Sequence, residues 1–437
     1  MLSVGIATLG CKVNQYESEA IAEALADKGF LIKSHSEICD AYIVNTCTVT
    51  AESDRKARQM IRRMMTRNPE AFMLVAGCYS QISPNDVAAI SGVDYICGSA
   101  NKMSIVEKLC ALAENGKKNS SPEICVPDLD SSSFEQMSIR RFERTRAYVK
   151  IEDGCESKCA YCAIPMSRGP IRSKPFDEVL SEVRNLIDGG CREIVLTGIE
   201  TGSYGKDLPG GQDLASLLCA VDKLDGIGRV RLGSLDPSSI KPAFVEKIKG
   251  LSSLAPHFHL SLQSGSSRIL ALMRRKYNAE QAMRAINLLR EAIPNVQFTT
   301  DVIVGFPYEA EEDFKASCSF IEQAEFLMVH VFPYSKRRDT IAATMKGQIP
   351  EQTKHDRVHE LSEISRNIRS KILDRKIGET VEVLFESRDN GYAVGHTADF
   401  IEVKVRTDKS MHALFRNVKL TAHNGDTCDG VLMEEND

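Results

Sequence analysis

The sequence predicts a three-domain α/β protein: a doubly wound parallel α/β domain, a central partial (β/α)6 barrel, and a small C-terminal antiparallel β-barrel. Short apolar runs alternate with amphipathic helical stretches over residues 4–113 and again over 147–335, which is typical of parallel α/β architecture. Beyond residue 380, apolar and polar residues alternate singly, as in half-exposed antiparallel strands. A chain of 437 residues has room for about three domains of ordinary size.

The strand candidates are short apolar runs at the edges of turn signals. In the first domain they are residues 4–9, 41–44, 72–76 and 93–96, and in the central domain they are 147–151, 193–196, 229–232, 258–262, 296–304 and 328–332. In the tail, alternation at 381–385 and 401–405 is accompanied by the turn pairs Asn390-Gly391 and Asn424-Gly425. In such a barrel the chemistry lies at the carboxyl ends of the strands.

We place the domain boundaries where the sequence pattern changes. The first domain covers residues 1–113, and residues 114–138, rich in Ser, Asn, Lys and Asp without a period, are predicted to be a linker. The central domain covers 139–372 and ends in a charged helix over about 351–376, and the C-terminal barrel covers 373–437.

Composition excludes several classes of protein. No stretch approaches the roughly 18 apolar residues of a membrane span, and the first nine residues lack basic residues and are interrupted by Ser3 and Thr8. We therefore expect a cytoplasmic protein without a signal peptide. The 55 Lys and Arg against 60 Asp and Glu give a net charge of −5, which argues against a uniformly basic nucleic-acid binder and leaves room for local basic patches.

The 14 cysteines are the most informative feature of the composition. A reducing cytosol disfavours structural disulfides, so metal or cluster ligation is the better expectation for cysteines that are grouped. A lone cysteine is more often a small buried hydrophobic residue.

The strongest motif is the CxxxCxxC formed by Cys155, Cys159 and Cys162, directly after the first central strand. Three thiolates on one loop can hold three irons of a four-iron cluster and leave the fourth iron open. The alternative is a zinc loop, but zinc sites generally pair CxxC or Cys/His spacings with a fourth protein ligand.

A second set of cysteines is distributed over the first domain. Cys11, Cys47 and Cys78 each follow a predicted strand, and the carboxyl ends of parallel strands meet at one edge of the sheet. They could bind a second cluster with an open iron. Cys97 also ends a strand, and its spacing alone would admit it as a fourth ligand.

The CxxxCxxC loop followed by six βα units resembles the radical S-adenosylmethionine (SAM) superfamily. The resemblance implies that the methionine group of SAM chelates the open iron and that reductive cleavage releases a 5′-deoxyadenosyl radical. Later strand ends resemble the cofactor pocket of the family, which implies SAM contacts from Gly198, Glu200, Arg231, Ser234, Gln263 and Asp301. Tyr308 stands where relatives usually have a glycine, so we expect the loop after Pro307 to differ in shape.

Residues 8–18 (TLGCKVNQYES), 45–50 (NTCTVT) and 76–78 (AGC) resemble the methylthiotransferase family of two-cluster radical enzymes. The resemblance covers essentially the whole chain, including a terminal TRAM-type β-barrel. The GCKVNQYES run is similar to the bacterial branch that modifies N6-threonylcarbamoyladenosine 3′ of the anticodon. The isopentenyladenosine branch more often has Gln-Met-Asn after its first cysteine, and the ribosomal-protein branch Pro-Lys-Asn. Because the family has three ligands in this domain, Cys97 is expected to be a core residue.

The resemblance implies a tRNA methylthiotransferase that replaces the C2 hydrogen of the modified adenine with a methylthio group. That hydrogen is neither acidic nor on a nucleophilic carbon, so its replacement calls for cofactor-borne radical chemistry. Two [4Fe-4S] clusters, two SAM molecules per turnover, a reducing electron donor and a sulfur donor are implied. The alternatives are a family member that acts on isopentenyladenosine or on a ribosomal protein, and a non-catalytic iron-sulfur RNA-binding sensor.

Local basic patches fit a tRNA substrate. They are Arg55, Lys56, Arg58, Arg62, Arg63 and Arg67 after Cys47; Arg140, Arg141, Arg144 and Arg146 before Cys155; and Lys404, Arg406, Lys409, Arg416 and Lys419 in the tail. Such density suits phosphate contacts, although a charged helix can equally be a solvated face. Anticodon-loop bases are single-stranded and can be splayed into a pocket.

Overall fold

The computed structural model describes residues 1–118, 120–142 and 145–433. The N-terminal domain is a parallel sheet in the order β2-β1-β3-β4-β5-β6. Its strands are β1 Ser3–Thr8, β2 Leu31–Lys33, β3 Ala41–Thr46, β4 Phe72–Gly77, β5 Tyr95–Cys97 and β6 Glu123–Cys125. Its helices are α1 Lys12–Asp27, α2 Ala51–Arg67, α3 Cys78–Ile82, α4 Pro84–Ala88 and α5 Ser104–Asn115.

The doubly wound topology predicted for this domain is confirmed. Strands β3 and β4 are buried along their whole length, as expected for central parallel strands covered by helices on both faces. The strand order reverses between β1 and β3, so the loops that follow these two strands lie side by side.

Two short edge strands were not predicted from the sequence. Strand β2 has three residues and little burial. Strand β6 lies in the predicted linker and pairs with β5, Tyr95 opposite Glu123. Three-residue edge strands are too short to show a hydrophobic period, because backbone pairing rather than burial holds them.

The central domain is the predicted partial barrel of six parallel strands. They form two sheets, β11-β10-β7 and β12-β13-β14, joined by isolated bridges between Val230 and Leu254 and between Leu235 and Leu260. The strands, with a small antiparallel pair β8/β9 beside them, are β7 Arg146–Lys150, β8 Glu152–Asp153, β9 Arg172–Ser173, β10 Glu193–Thr197, β11 Arg229–Leu232, β12 His257–Gln263, β13 Gln297–Val304 and β14 Met328–Pro333.

Helices cover the outside of this barrel. They are α6 Ile164–Arg168, α7 Phe176–Asp188, α8 Leu214–Val221, α9 Pro242–Ile248, α10 Ser267–Leu272, α11 Ala279–Ala292, α12 Glu311–Ala324, α13 Ile341–Thr344 and α14 Glu351–Lys376. Outward strand residues such as Leu196, Val230 and Phe258 belong to one hydrophobic core. The alternating residues face inward; we call the space they surround the lumen, and it is lined by Glu193, Arg229, Arg231, His257, His259, Thr299, Asp301 and His330.

The C-terminal domain is a closed five-stranded barrel in the order β15-β16-β17-β19-β18. Its strands are β15 Thr380–Asp389, β16 Tyr392–Thr397, β17 Glu402–Arg406, β18 Phe415–His423 and β19 Cys428–Leu432. It docks at the amino ends of the central strands, where Arg229 pairs with Glu382 at 3.1 Å and Phe400 stacks on His257 with ring centroids 4.7 Å apart. The terminal barrel thus closes one end of the lumen, which we call the floor.

Within the described ranges, every helix is too short or too polar to cross a lipid bilayer.

Candidate active site

The three cysteines of the N-terminal domain lie at the carboxyl ends of successive strands of its sheet. Cys11 follows β1 and caps α1, Cys47 follows β3, and Cys78 follows β4 as the first residue of α3. The charge of Cys78 influences both other thiols. The fold therefore brings these three cysteine-bearing strand ends to one edge of the sheet.

Two glycines allow the cysteine-bearing loops to approach each other. Gly10 has a φ of 105°, and a Cβ there would lie 2.8 Å from Cys47 Sγ. Gly77 has a φ of 108°, and a Cβ there would lie 2.4 Å from the Thr46 carbonyl oxygen. Any other residue would clash and be strained, so these glycines fix how closely the thiols can gather.

The CxxxCxxC loop leaves the barrel between β8 and β9, whose short antiparallel pairing closes its base. Backbone amides point at its sulfurs: Ser157 N–H donates to Cys155 Sγ and Ile164 N–H to Cys162 Sγ, each at 3.4 Å. Hydrogen bonds to thiolate sulfurs are one way in which proteins tune iron-sulfur clusters. The loop is therefore already shaped around sulfur acceptors.

Neither cysteine triad has the close sulfur spacing of a site for a single metal ion. Four thiolates around one zinc lie about 3.8 Å apart, given a Zn–S bond of about 2.3 Å. Neither cysteine triad brings its sulfurs within 4.8 Å of one another; among the described residues that spacing occurs only at His259, Asp301 and His330. The zinc alternative for the CxxxCxxC loop is thus disfavoured.

One arginine connects the two cysteine sites. Arg168 ends α6, just after Cys162, and its Nε–H donates to Cys78 Sγ at 3.1 Å. The other side of its guanidinium pairs with Glu17 of α1 at 2.7 Å and with Asp153 of β8 at 3.1 Å. The Arg168 side chain is completely buried, so it locks the N-terminal domain onto the central barrel.

The ion network around Arg168 carries an excess of positive charge. It contains four cations and two carboxylates: Lys102, Lys150, Arg168 and Arg172 against Glu17 and Asp153. Although burial raises the pKa of Glu17, the surrounding cations hold it well below its usual range. An uncompensated buried charge is costly, and anionic thiolate clusters at the neighbouring cysteines would balance the remainder.

Burial raises the pKa of thiols in both triads. It raises the pKa of Cys47 to about 11, with Cys78 adding to the effect, and the pKa of Cys162 to about 12, with Cys159 adding to it. Because metal ligands must be deprotonated, loading these sites would release protons. The donor set and its electrostatic surroundings both fit iron-sulfur clusters.

Four of the six residues predicted to bind SAM lie at strand ends that follow the cysteine loop. Gly198 and Glu200 follow β10, Ser234 follows β11, and Gln263 ends β12. A Cβ on Gly198 would lie 2.7 Å from the Glu152 carboxylate, whose Oε2 also accepts the Glu200 N–H at 2.8 Å. Burial, reinforced by Asp236, raises the pKa of Glu200 to about 7.

Gln263 adopts the left-handed conformation at φ 69°, where the pairing of β12 with β13 shifts register. Such strain in a residue other than glycine is often found at functional sites. The shift in register changes the direction of the Gln263 side chain at the end of β12.

Arg231 and Asp301 are placed differently from the other four. Arg231 reaches toward the floor, where it pairs with Glu193 at 3.1 Å and donates to the Ala398 carbonyl at 3.0 Å. Asp301 lies in the middle of β13 with His259 and His330. Both were assigned to the SAM pocket by motif position, which does not reveal which layer of a barrel an inward side chain reaches.

Arg275 was not identified from the sequence. Its guanidinium pairs with Asp236 at 2.6 Å and donates to Cys159 Sγ at 3.4 Å. It therefore contacts both the cysteine loop and the strand end that carries Ser234. It lies in the RRKY run over residues 274–277, which has no cysteine, histidine or acidic residue to indicate a site.

Tyr308 occupies a backbone position that suits glycine. Its φ is 68°, its N–H donates to the Gly347 carbonyl at 2.7 Å, and its ring covers Gly347. The loop after Pro307 thus keeps a left-handed residue despite the change from glycine.

Cys97 lies in the core with Tyr95, Ile105 and Leu109, fully buried. Burial raises the pKa of its thiol, and the charges of Glu135 and Lys102 also act on it. We expect Cys97→Ala to keep the iron content of the wild-type protein after anaerobic reconstitution, because this thiol packs among apolar side chains. Loss of about four irons per chain would instead make Cys97 a ligand.

The basic patches differ in how much of their charge is free. On α2, Arg55, Arg58, Arg62 and Arg63 line a surface groove of about 480 Å³, and in the described part of the chain Arg62 and Arg63 have no ion pair. By contrast, Arg140 pairs with Glu23 at 2.6 Å. The expected second patch is therefore largely neutralised: Arg141 and Arg146 also face carboxylates, and Arg144 lies outside the described residues.

Comparison with known proteins places these features in context. The profile of the Radical SAM superfamily matches residues 149–321, and that of Uncharacterized protein family UPF0004 matches residues 3–98. Threonylcarbamoyladenosine tRNA methylthiotransferase MtaB of Bacillus subtilis is 37% identical over 428 residues, covering 96% of this chain and 94% of the relative. The protein of the same name from Thermotoga maritima is 38% identical over 88% of this chain and 87% of its own.

A second group of relatives carries a different name. The tRNA-2-methylthio-N(6)-dimethylallyladenosine synthase of Acetivibrio thermocellus is 34% identical, covering 94% of this chain and 87% of its own. Among solved structures, the radical SAM methyltransferase TsrM of Kitasatospora setae superposes with a TM-score of 0.59 at 15% identity, over 78% of this chain and 77% of its own. At that identity the superposition supports the fold alone.

Proposed function

The chain belongs to the tRNA methylthiotransferase family of radical SAM enzymes, and we propose that it converts N6-threonylcarbamoyladenosine 3′ of the anticodon to its 2-methylthio derivative. The relatives that carry the threonylcarbamoyladenosine name support this substrate. The reaction needs SAM, a reducing electron donor and a source of sulfur.

The contact of Arg168 with Cys78 carries the proposal. Arg168 ends the helix that follows Cys162, yet it hydrogen-bonds to a thiol of the other triad. The segment that follows one triad therefore reaches a thiol of the other. Radical formation at one site and sulfur delivery at the other can only be coupled if a substrate base reaches both.

The residues of the chain divide between the two steps. We propose that Cys155, Cys159 and Cys162 hold the cluster that binds SAM, and that Cys11, Cys47 and Cys78 hold a second one. When bound, these groups supply the radical and the methylthio group, with two SAM molecules used per product. Glu200 and Asp236 contact the SAM site, and Arg275 orients Asp236 and Cys159 through its two hydrogen bonds. Arg168 positions the Cys78 loop.

The exposed arginines of α2 would contact tRNA phosphates. Replacing Arg62 and Arg63 by alanine is expected to weaken tRNA binding about tenfold near physiological salt and to lower the slope of log affinity against log salt by about two, since each lost phosphate contact removes about one. Fluorescence anisotropy at several salt concentrations measures both quantities. The double alanine variant of Arg140 and Arg141, which already face carboxylates, serves as the matched control; an equal loss there would contradict the assignment.

The substrate is tested by mass spectrometry of tRNA nucleosides from cells with and without the gene. Deletion should remove 2-methylthio-N6-threonylcarbamoyladenosine and leave the unmethylthiolated nucleoside. Complementation with the Cys159→Ala variant should not restore it. Loss of a methylthiolated dimethylallyladenosine instead would assign the chain to the second group of relatives, and an unchanged nucleoside profile would contradict a tRNA substrate.

A further inference from the structure

The floor of the lumen is electrostatically satisfied. Arg229 and Arg231 both pair with Glu193, at 3.2 and 3.1 Å. Arg146 also lies 3.3 Å from Glu193 and forms a close ion pair with Glu386 of the terminal barrel. These arginines are occupied within the protein, so they do not form a binding site for a ligand.

One cation above the floor is not paired in this way. Lys12 enters from the N-terminal domain, directly after Cys11, and forms no ion pair or hydrogen bond with any described residue. Its side chain is open to solvent, but the charges that act on it, Arg231 and Asp301 among them, belong to the lumen. The Lys12 ammonium is thus solvent-accessible and lies within electrostatic reach of this part of the lumen, which we call the chamber.

Three further polar groups face the same chamber. His259 and His330 flank Asp301, with His259 Nε2 3.3 Å from the carboxylate. Thr299 Oγ1 holds the other ring nitrogen of His259 at 2.9 Å, which fixes the orientation of the ring. Burial lowers the pKa of His330, so its neutral ring offers one donor and one acceptor.

Together these four residues form what we call the lumen tetrad: Lys12, His259, Asp301 and His330. Two imidazoles and a carboxylate could also bind a transition metal. However, the charge of Lys12 acts on both Asp301 and His330, and an ammonium beside the site repels a divalent cation. The arrangement favours a ligand that brings a negative charge together with hydrogen-bonding groups.

Resting on the proposed function, we propose that the lumen tetrad binds the threonylcarbamoyl substituent of the substrate adenine and that Lys12 pairs with its carboxylate. This substituent carries one carboxylate, one hydroxyl and a urea group, which match an ammonium, a carboxylate and two imidazoles. A dimethylallyl substituent has no polar atom, so it could neither pair with Lys12 nor hydrogen-bond to the other three residues. A site that is built to hydrogen-bond rejects a ligand that lacks those groups strongly.

The proposal is tested by binding, separately from turnover. Reconstituted protein is titrated with anticodon stem-loop RNAs that carry threonylcarbamoyladenosine, its carboxyl methyl ester, dimethylallyladenosine or plain adenosine. The wild-type protein should prefer the free acid over the methyl ester by about 10- to 100-fold, the range expected for a hydrogen bond to a charged group. Lys12→Met should lose this preference, whereas Lys28→Met, at the exposed far end of the same helix, should retain it.

A second variant lies away from the cysteines. His330→Leu on β14 should reduce the preference for threonylcarbamoyladenosine over plain adenosine by about tenfold. Iron content is measured in each variant, because Lys12 adjoins Cys11. Equal wild-type affinity for the free acid and the methyl ester would overturn the role of the tetrad, whereas the nucleoside comparison decides the proposed function separately. If Lys12→Met keeps the wild-type preference for the free acid, only the role of the tetrad is overturned. The same holds if the wild-type protein binds one equivalent of a non-iron metal that His330→Leu loses.

Discussion

We expect Cys159→Ala to abolish formation of 5′-deoxyadenosine, and Cys78→Ala to leave most of it while preventing methylthio transfer. This is the expected result because Cys159 belongs to the loop beside Glu200 and Asp236, while Cys78 belongs to the other triad. Each variant should lose about half of the reconstituted iron if each triad holds one four-iron cluster. Anaerobic assays with dithionite and SAM, followed by chromatography of the nucleosides, measure both activities.

A matched control comes from a cysteine outside both triads. Cys219 on α8 is half-buried, and its thiol faces the Lys247 carbonyl. Cys219→Ala should keep the iron content and both activities. If Cys78→Ala loses as much 5′-deoxyadenosine as Cys159→Ala, the division of labour between the triads is wrong.

Arg168→Met should be the most destabilising single substitution in the interface between the first two domains. It removes the hydrogen bonds from the Arg168 guanidinium to Glu17 across the interface and to Asp153, and a hydrogen bond to a charged group typically contributes about 1.5–3 kcal/mol. The variant also loses the Nε–H donor to Cys78 Sγ. Because hydrogen bonds to cluster sulfurs raise reduction potentials, a cluster held by the Cys78 triad, as we propose, should become harder to reduce.

Thermal denaturation of the metal-free protein measures the first effect, and redox titration followed by electron paramagnetic resonance measures the second. Arg375→Met is the control for stability, because its pair with Glu325 at 3.3 Å is exposed, and exposed pairs contribute about 0–1 kcal/mol. A merely structural Arg168 would change the melting temperature without shifting the potential.

The sequence predicted the helices and strands whose hydrophobic pattern is long or repeated. The charged helix α14 was expected at about 351–376 and is observed at Glu351–Lys376, because a long helix without Gly or Pro leaves little doubt about its limits. The six central strands were predicted within one or two residues, since parallel strands buried on their outer face are continuously apolar or strictly alternating.

The remaining features depend on contacts between distant parts of the chain. Nothing in the local sequence shows that Arg140 meets Glu23 or that Arg168 meets Glu17, pairs more than 100 residues apart. For that reason a basic cluster that looked suited to RNA is neutralised, and the residue that links the cysteine sites was not recognised. Inward-facing residues such as Arg231 were assigned to the SAM pocket by their order in the motifs. The groups that they contact depend on the layer of the barrel that each side chain reaches.

The docking of the terminal barrel bears on how this enzyme can be dissected. Deleting residues 373–437 would remove Glu382, Glu386 and the Ala398 carbonyl from the floor, and would leave Arg146, Arg229 and Arg231 sharing Glu193 alone. Such a truncation would remove part of the floor of the catalytic barrel. Loss of activity on deletion of the domain would therefore not measure RNA recognition by the terminal domain. Point substitutions of exposed residues such as Arg406 and Lys419 keep the floor intact. They therefore separate RNA recognition from the structural role of the domain. The terminal domain is separate in sequence, but its residues form part of the floor of the central barrel.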